Sequence, residues 1–358
     1  MKVALVYNDY ESVSGETVFF NNMCLGLEGK GLEVERIPIK QSKPNTPRGD
    51  IEYYSRFPLL LNTADALRGK KFDVIHFLNA ALAPAARSAK SKVVATSHFF
   101  LDSYLRISPH PNPAMRIAES LYACYVSLLD RPAFSSLDRL VACTDYQASC
   151  IKERYCLPDP KVSVIPPGAD AGYLRSLPEV DLCSEYGFGR TIVSMGRLHE
   201  RSKGVSCLIR AMKLVDDAGL LIIGDGPDRR AYEKLARDEG LQDRIRFLGV
   251  LDFRTKSIIQ KSADVVAIPS LYEVFALVFA ESLACNVPVV AFDQPFWKGV
   301  YDGAAIFTRP RDLDSLASGL EKALEKDDAK IRARRKELSD QYDMKKTINS
   351  YVSLYQDL

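Results

Sequence analysis

The stretch Pro269-Ser270-Leu271-Tyr272-Glu273-Val274-Phe275-Ala276-Leu277-Val278-Phe279-Ala280-Glu281 follows a short apolar run at residues 264–268. That run reads as a buried strand. Pro269 and Ser270 end it and start a turn. A helical pattern then begins near Phe275 and extends to about Asn286. Two acids flank the strand-to-helix turn, Glu273 in the loop and Glu281 two turns into the helix. Between them the first amides of the helix, from about Phe275 through Ala276 and Leu277 to Val278, lack intrahelical partners. Such a helix end suits an anion, phosphate above all. A carboxylate beside it accepts hydrogen bonds from sugar hydroxyls. The stretch therefore suits a nucleotide that carries both phosphates and sugars.

Outward from this stretch, short apolar runs alternate with helical patterns along the whole chain. Strands are expected at residues 2–7, 33–39, 73–78, 92–97, 138–143 and 162–165, and again at 191–195, 219–223, 245–248, 264–268, 288–292 and 304–308. Helices are expected at 15–29, at 51–67 in two pieces broken at Pro58, at 80–89, 114–130 and 146–155, and at 344–358. Strands that alternate with helices make parallel, doubly wound sheets. Pro166-Pro167-Gly168 interrupts the pattern, and residues 169–189 have no strong period. The boundary between two α/β domains is placed there, giving domains at 1–168 and 169–342 and a final helical segment at 343–358.

The bulk properties agree with such a chain. Its 358 residues exceed one ordinary core and fit two domains. Apolar residues make up 47% and charged residues 26%, with a net charge of +2. That balance argues against a dedicated nucleic-acid binder. The eight cysteines form no Cys-x-x-Cys pair and sit mostly in apolar segments, so neither a zinc site nor a disulfide framework is expected. Cytoplasmic residence is the expectation, with no signal peptide at Met1. No apolar run reaches the roughly 20 residues that span a bilayer.

Several other clusters could carry chemistry. Gly196-Arg197-Leu198 ends a strand, and Lys203-Gly204 opens a helix. A guanidinium fork and a compact ammonium there would lie above the carboxyl ends of the strands, where open α/β sheets bind ligands. Ile223-Gly224-Asp225-Gly226-Pro227 is a strand-end turn that either touches ligand at Gly224 or only shapes the site. Ser14-Gly15-Glu16 opens the first helix, and a simple cap by Ser14 accounts for it as well as a ligand contact at Gly15 does. His98 stands just past a strand, where it is either packed or functional. Met115, Ala118, Leu121, Tyr122, Tyr125 and Leu129 recur at helical spacing. Core packing is the favoured account of that face; the other is a surface for lipid or an apolar acceptor. No Asp-x-Asp pair stands at a strand end, so no metal site is expected.

The pattern Glu273-x7-Glu281 resembles the signature of the retaining glycosyltransferases called group 1, or family 4, which have the GT-B fold. Its usual form is Glu-x-Phe-Gly. Here Ala276 replaces the glycine, and a helical φ would accommodate its methyl. Gly196-Arg197-Leu198 with Lys203-Gly204 is similar to the family's Gly-Arg-Leu…Lys-Gly motif, at the spacing of phosphatidylinositol mannosyltransferases. Ala95-Thr96-Ser97-His98 resembles a motif of the same lipid mannosyltransferases. The resemblance implies a GT-B fold: two Rossmann-like domains facing across a cleft, with the last helix returning to the first. It implies transfer of a sugar from a GDP- or UDP-sugar to a glycan or lipid-linked acceptor, with retention of configuration. No cofactor is implied. Glu281 would hold the ribose and Glu273 the transferred sugar. Arg197, Lys203, Gly196 and the amides near Ala276 would hold the diphosphate, Gly15 would close over it, and backbone near Val250 would pair with the base. His98 would face the reaction centre. Membrane contact would be peripheral. A nucleotide-sugar-binding subunit without activity and a GT-B sugar-nucleotide epimerase are the alternatives.

Overall fold

The computed structural model describes residues 1–9, 15–40, 56–86, 90–98, 101–107, 109–325 and 328–358. The chain forms two compact units. One comprises Met1–Leu105, His110–Gly168 and Met344–Leu358; the other comprises Arg106–Pro109 and Ala169–Asp343.

The first unit holds β1 (Lys2–Asp9), β2 (Glu33–Lys40), β3 (Val74–Phe77), β4 (Lys92–Ser97), β5 (Arg139–Ala142) and β6 (Val162–Val164). They form one sheet in the order β2-β1-β3-β4-β5-β6, with every neighbouring pair parallel. Val3, Ala4, Leu5 and Val6 are all fully buried. A strand covered on both faces needs such a continuous apolar run rather than alternation. The C-terminal helix Met344–Gln356 belongs to this unit. It packs on the helix Gly15–Gly29, where the side chain of Ile348 fills the space a Cβ on Gly26 would need.

The second unit holds β7 (Arg190–Met195), β8 (Ala218–Ile223), β9 (Ile245–Gly249), β10 (Val265–Ile268), β11 (Val289–Phe292) and β12 (Ile306–Thr308). Their order is β12-β11-β10-β7-β8-β9, again all parallel. The order reverses between β7 and β10. Crevices outside the carboxyl ends of strands at such a switch point are where open α/β sheets take ligands. Two core residues, Ile192 on β7 and Ala267 on β10, lie in one buried cluster beneath that point.

Departures from expectation have local causes. Residues 169–189 contain two short helices, Ala171–Ser176 and Leu182–Tyr186. Each is started by an aspartate cap, Asp170 onto the Tyr173 amide and Asp181 onto the Ser184 amide, rather than by periodicity. Residues 80–86 form a 3-10 helix around Pro84, not an α-helix, because proline supplies no N–H inside it. Pro58 causes no break within the described helix Arg56–Leu67; it sits in the first turn, where its missing donor costs nothing. Residues 51–55 of that expected helix, Ser14 and residues 87–89 lie outside the described residues. The helix expected at 114–130 runs from Pro113 to Ser136, capped by Asn112 on the Ala114 amide and continuing past Pro132. Of the face expected to be core, Met115, Leu121, Tyr125 and Leu129 are exposed; the buried side is Ala123, Val126, Asp130, Ala133 and Phe134. A further short helix, Leu101–Ile107, has no counterpart in the expected pattern. Among the described residues, no helix is long and apolar enough to cross a membrane.

Candidate functional site

The switch point of the second sheet gathers most of the singled-out residues. β7 ends at Met195, and Gly196 follows with φ +145°, a conformation that favours glycine. A Cβ there would also stand 3.6 Å from Lys203 Nζ. The loop then turns through the short helix Glu200–Lys203 and Gly204, at φ +59°. A Cβ on Gly204 would lie 2.6 Å from the Pro269 carbonyl. The close approach lets the Leu271 and Tyr272 amides donate to the Ser202 carbonyl, at 2.7 and 3.0 Å. In this way the loop after β7 is fastened to the loop after β10.

That fastening brings Lys203 onto Glu273, and the ammonium pairs with Oε1 of the carboxylate. Burial lowers the Lys203 pKa to about 8. Gln294 holds the carboxylate's loop: its Oε1 accepts from the Glu273 amide at 3.0 Å, and its Nε2 donates to the Ser270 carbonyl. Gln294 lies on the connection after β11 and nothing in the sequence marks it. Arg197 is exposed and makes no ion pair among the described residues. It is a cation available to a ligand.

The helix begins at Leu277, two residues later than the periodicity suggests, and ends at Cys285. Glu281 is therefore one turn in, not two. Phe275 belongs to the loop; its side chain is buried and its carbonyl accepts from the Tyr301 hydroxyl at 2.6 Å. Ala276 is the N-cap, with φ +60° and ψ +89°. A helical φ was the condition for tolerating a methyl here, and the structure does not meet it. The residue sits in the left-handed region where an L side chain costs roughly 1–2 kcal/mol. Glycine would sit there without strain. The amides of Leu277 and Val278 have no backbone acceptor among the described residues, whereas Phe279 N donates to the Ala276 carbonyl at 2.9 Å. The anion-binding end is thus the Leu277 and Val278 amides at the positive end of the helix.

Glu281 is buried and pairs with Lys256 Nζ at 2.7 Å. Lys256 comes from the helix Phe253–Ser262, and its ammonium also lies 4.9 Å from the centre of the Phe253 ring. Sequence reasoning missed Lys256, since a lone lysine on a helix carries no signal. The pair holds the Glu281 carboxylate in place.

Gly224 and Gly226 are structural in this geometry. A Cβ on either would collide with the backbone carbonyl of Gly196 or Leu198, respectively. The Leu198 amide in turn donates to the Asp225 carbonyl at 2.9 Å. The turn therefore shapes the Gly-Arg-Leu loop through backbone contact. Val250 is exposed just beyond β9, and the Gly249 carbonyl accepts from the Gly224 amide at 2.7 Å.

His98 and Gly15 belong to the other unit. Gly15 is the first residue of its helix. His98 follows β4, with its Nδ1 3.6 Å from Cys143 Sγ and its ring edge-on to Phe19. Burial lowers its pKa to about 4, so it is neutral at physiological pH. Gln147, fully buried, clamps the strand ends around it. Its Nε2 donates to the Ser97 carbonyl at 2.8 Å and its Oε1 accepts from the Cys143 amide at 2.7 Å.

Two family models match successive parts of the chain. One, of glycosyltransferase family 4, matches residues 16–173, and one, of glycosyl transferases group 1, matches residues 186–341. A phosphatidyl-myo-inositol mannosyltransferase from Mycobacterium leprae is 30% identical over 72% of this chain and 65% of its own length. The matches span 65%, 36% and 47% of the first three curated relatives. Sucrose-phosphate synthase from Thermosynechococcus elongatus superposes with a TM-score of 0.81 at 18% identity, covering 99% of this chain and 98% of that one. HepE from Anabaena, solved with UDP and glucose, gives 0.74 at 16% identity, covering 99% and 100%. The doubly wound pair of units is the GT-B fold. The chain belongs to the group 1 glycosyltransferases.

Proposed function

We propose that this chain transfers a hexose from a nucleotide diphosphate sugar, GDP- or UDP-linked, to a glycan or lipid-linked acceptor, with retention of configuration. The carrying observation is the Lys203–Glu273 pair on the loop that leads to the Leu277 and Val278 amides, which have no backbone acceptor among the described residues, at the switch point of the second sheet. The relatives' names add support. Several are mannosyl- or inositol-phosphate glycosyltransferases, and one structural neighbour was solved with UDP-glucose.

Arg197, Lys203 and the two amides hold the diphosphate and stabilise the charge that grows as it leaves. Glu281, steadied by Lys256, accepts from the ribose hydroxyls. Glu273 accepts from hydroxyls of the transferred sugar. His98 of the first unit, neutral, is a candidate hydrogen-bonding group for a sugar hydroxyl. The bond from the sugar's anomeric carbon to the diphosphate oxygen breaks, and the acceptor oxygen bonds that carbon on the same face. The acceptor proton passes to the leaving phosphate oxygen, so no protein nucleophile is required. The chain contributes position and charge. Two cations and a helix end neutralise the diphosphate, so no divalent ion is needed. The expected setting is cytoplasmic.

A melting-temperature screen of UDP, GDP and their sugars tests the donor, because a ligand of the folded state stabilises by mass action. Product analysis then tests transfer and anomeric configuration. Nucleotide binding without transfer to any glycan or lipid-linked acceptor would favour a non-catalytic subunit. Epimerised donor formed without acceptor would favour an epimerase. Activity lost to EDTA and restored by Mg²⁺ would overturn the metal-free reading.

A further inference from the structure

The strands β4 and β5 diverge just where His98 stands. Their last ladder pair is Ser97 with Ala142, and His98 and Cys143 come next on the two strand ends. Gln147 supplies the following rung with its side chain. It lies in the first turn of the helix Asp145–Tyr155, where the cap Thr144 accepts from the Gln147 amide at 3.1 Å. The orientation of the Gln147 side chain is forced. The Cys143 amide can only donate and the Ser97 carbonyl can only accept, so Oε1 faces the first and Nε2 the second. Gln147 and Cys143 are both buried.

The Cys143 thiol has one proton and two acceptors within reach, the Ser97 carbonyl at 3.5 Å and His98 Nδ1 at 3.6 Å. The carbonyl already receives Gln147 Nε2 at 2.8 Å. With the thiol turned to the carbonyl, Nδ1 would have to carry a proton and give it to sulfur, a weak acceptor. With the thiol turned to Nδ1, both acceptors are satisfied. Burial raises the Cys143 pKa to about 12, so the proton stays on sulfur. We propose that Cys143 and Gln147 are positioning residues that hold His98 in the tautomer with its proton on Nε2. No described residue hydrogen-bonds Nε2, and the ring is half-buried, so this nitrogen is the one left for a ligand. It meets a sugar as a donor to oxygen and cannot take a proton from an acceptor hydroxyl. That agrees with a transfer in which the leaving phosphate oxygen receives the proton. The use of the tautomer rests on the assignment of His98 to the sugar; the tautomer itself rests on the geometry of the first unit alone.

Long-range proton–nitrogen correlation spectra of the full chain, labelled at histidine, test it. The histidines are His76, His98, His110 and His199, and the His98 signals are those missing from His98→Gln. At neutral pH the wild type should show His98 with a protonated Nε2 and a bare Nδ1. Cys143→Ala removes the thiol and should mix the two tautomers. Cys143→Ser returns a donor to Nδ1 and should restore the single form. Gln147→Met frees the Ser97 carbonyl for the thiol and should shift His98 toward the Nδ1-protonated form. At saturating donor and acceptor, kcat should fall about threefold or more in Cys143→Ala and recover in Cys143→Ser, because only one tautomer is competent. UDP and GDP affinity should stay the same throughout, since the residues assigned to the diphosphate belong to the other unit. A wild-type His98 protonated on Nδ1 would overturn the proposal, and that spectrum decides even where a variant melts too low to study. A tautomer unchanged in Cys143→Ala would overturn it as well, and one unchanged in Gln147→Met would remove Gln147 from it. A mixed tautomer with unaltered kcat would overturn the role in transfer. A wild type that shows the Nε2-protonated form but transfers no sugar would sink the glycosyl-transfer reading and leave the tautomer standing.

Discussion

Lys203 rests on Glu273, and a backbone clasp places it there. The Ser202 carbonyl, accepting from Leu271 and Tyr272, ties the loop after β7 to the loop after β10. Diphosphate and ammonium would meet at this pair. Arg197→Ala and Lys203→Ala should each slow transfer more than about a hundredfold, the scale for loss of one preorganised charge-stabilising donor. Steady-state kinetics with a saturating acceptor checks this. Wild-type values in both variants would remove the two residues from the reaction.

The same lysine gives a pH signature. Burial lowers its pKa from an ordinary 10.5 to about 8, because the ammonium is disfavoured away from water. A diphosphate needs the cation, so nucleotide affinity should fall as pH rises through about 8. Lys203→Arg keeps its charge throughout and should flatten the profile. Stability runs the opposite way. Between about 8 and 10.5 the unfolded chain binds the extra proton, so this group's contribution to stability rises with pH. Calorimetric titration of UDP and GDP across that range reads the first effect. An affinity independent of pH in the wild type would contradict it.

Ala276 stores strain where the family's usual signature has glycine. With φ at +60°, its methyl costs roughly 1–2 kcal/mol. Glycine would relieve that but adds flexibility to the unfolded chain, worth about 0.4–1 kcal/mol. Ala276→Gly should therefore raise stability by up to about 1.5 kcal/mol and leave nucleotide binding equal or tighter. Ala276→Val should lower both. Denaturant titration and melting shifts with nucleotide decide; a destabilised glycine variant would mean the φ is not strained.

The doubly wound pattern was legible because buried parallel strands are mostly continuous apolar runs, while the edge strand β2 alternates instead; all twelve expected strands are present among the described residues. Glu273, Glu281, Arg197 and Lys203 were legible because their motifs sit at strand ends. Their partners were not. Gln294 and Lys256 act through tertiary contacts that no local pattern encodes. The helix Pro113–Ser136 shows why: periodicity reports an apolar face but not what covers it. Its tighter-packed side uses small residues such as Ala123 and Ala133, which contribute little to the pattern.

Lys256 carries a prediction of its own. It is the partner of a carboxylate that is almost wholly inside the second unit. Removing one member of a buried pair costs about 3–5 kcal/mol because the other charge is left uncompensated. Lys256 keeps some exposure, so Lys256→Ala should fall at or below about 3 kcal/mol. Lys256→Ala should also loosen Glu281, and with it the preference for ribose over 2′-deoxyribose. Comparing UDP and GDP with their 2′-deoxy forms separates the two roles. Unchanged discrimination with reduced stability would leave Lys256 a purely structural residue.

The first unit should be acid-sensitive through its histidines. His76 is fully buried between Tyr355, whose hydroxyl is 2.6 Å from Nδ1, and Thr96, whose hydroxyl is 2.7 Å from Nε2. The Tyr351 hydroxyl lies 3.1 Å from the same Thr96 oxygen. This network fastens the C-terminal helix to β3 and β4. Burial lowers His76 from an ordinary 6.5 to about 3, and His98 to about 4. Both are neutral in the folded chain and protonate more readily unfolded. Stability from each is thus intact above about 6.5 and is lost as pH falls toward the folded value. Each group sets a slope of about 1.4 kcal/mol per pH unit once the unfolded chain is protonated. His76→Asn, which can still hydrogen-bond both hydroxyls, should be less stable at neutral pH but should lose stability less steeply between pH values of about 6 and 4. Denaturant unfolding at each pH, in both chains, gives the two slopes. Equal slopes would show that the His76 proton is not what acid unfolding takes up.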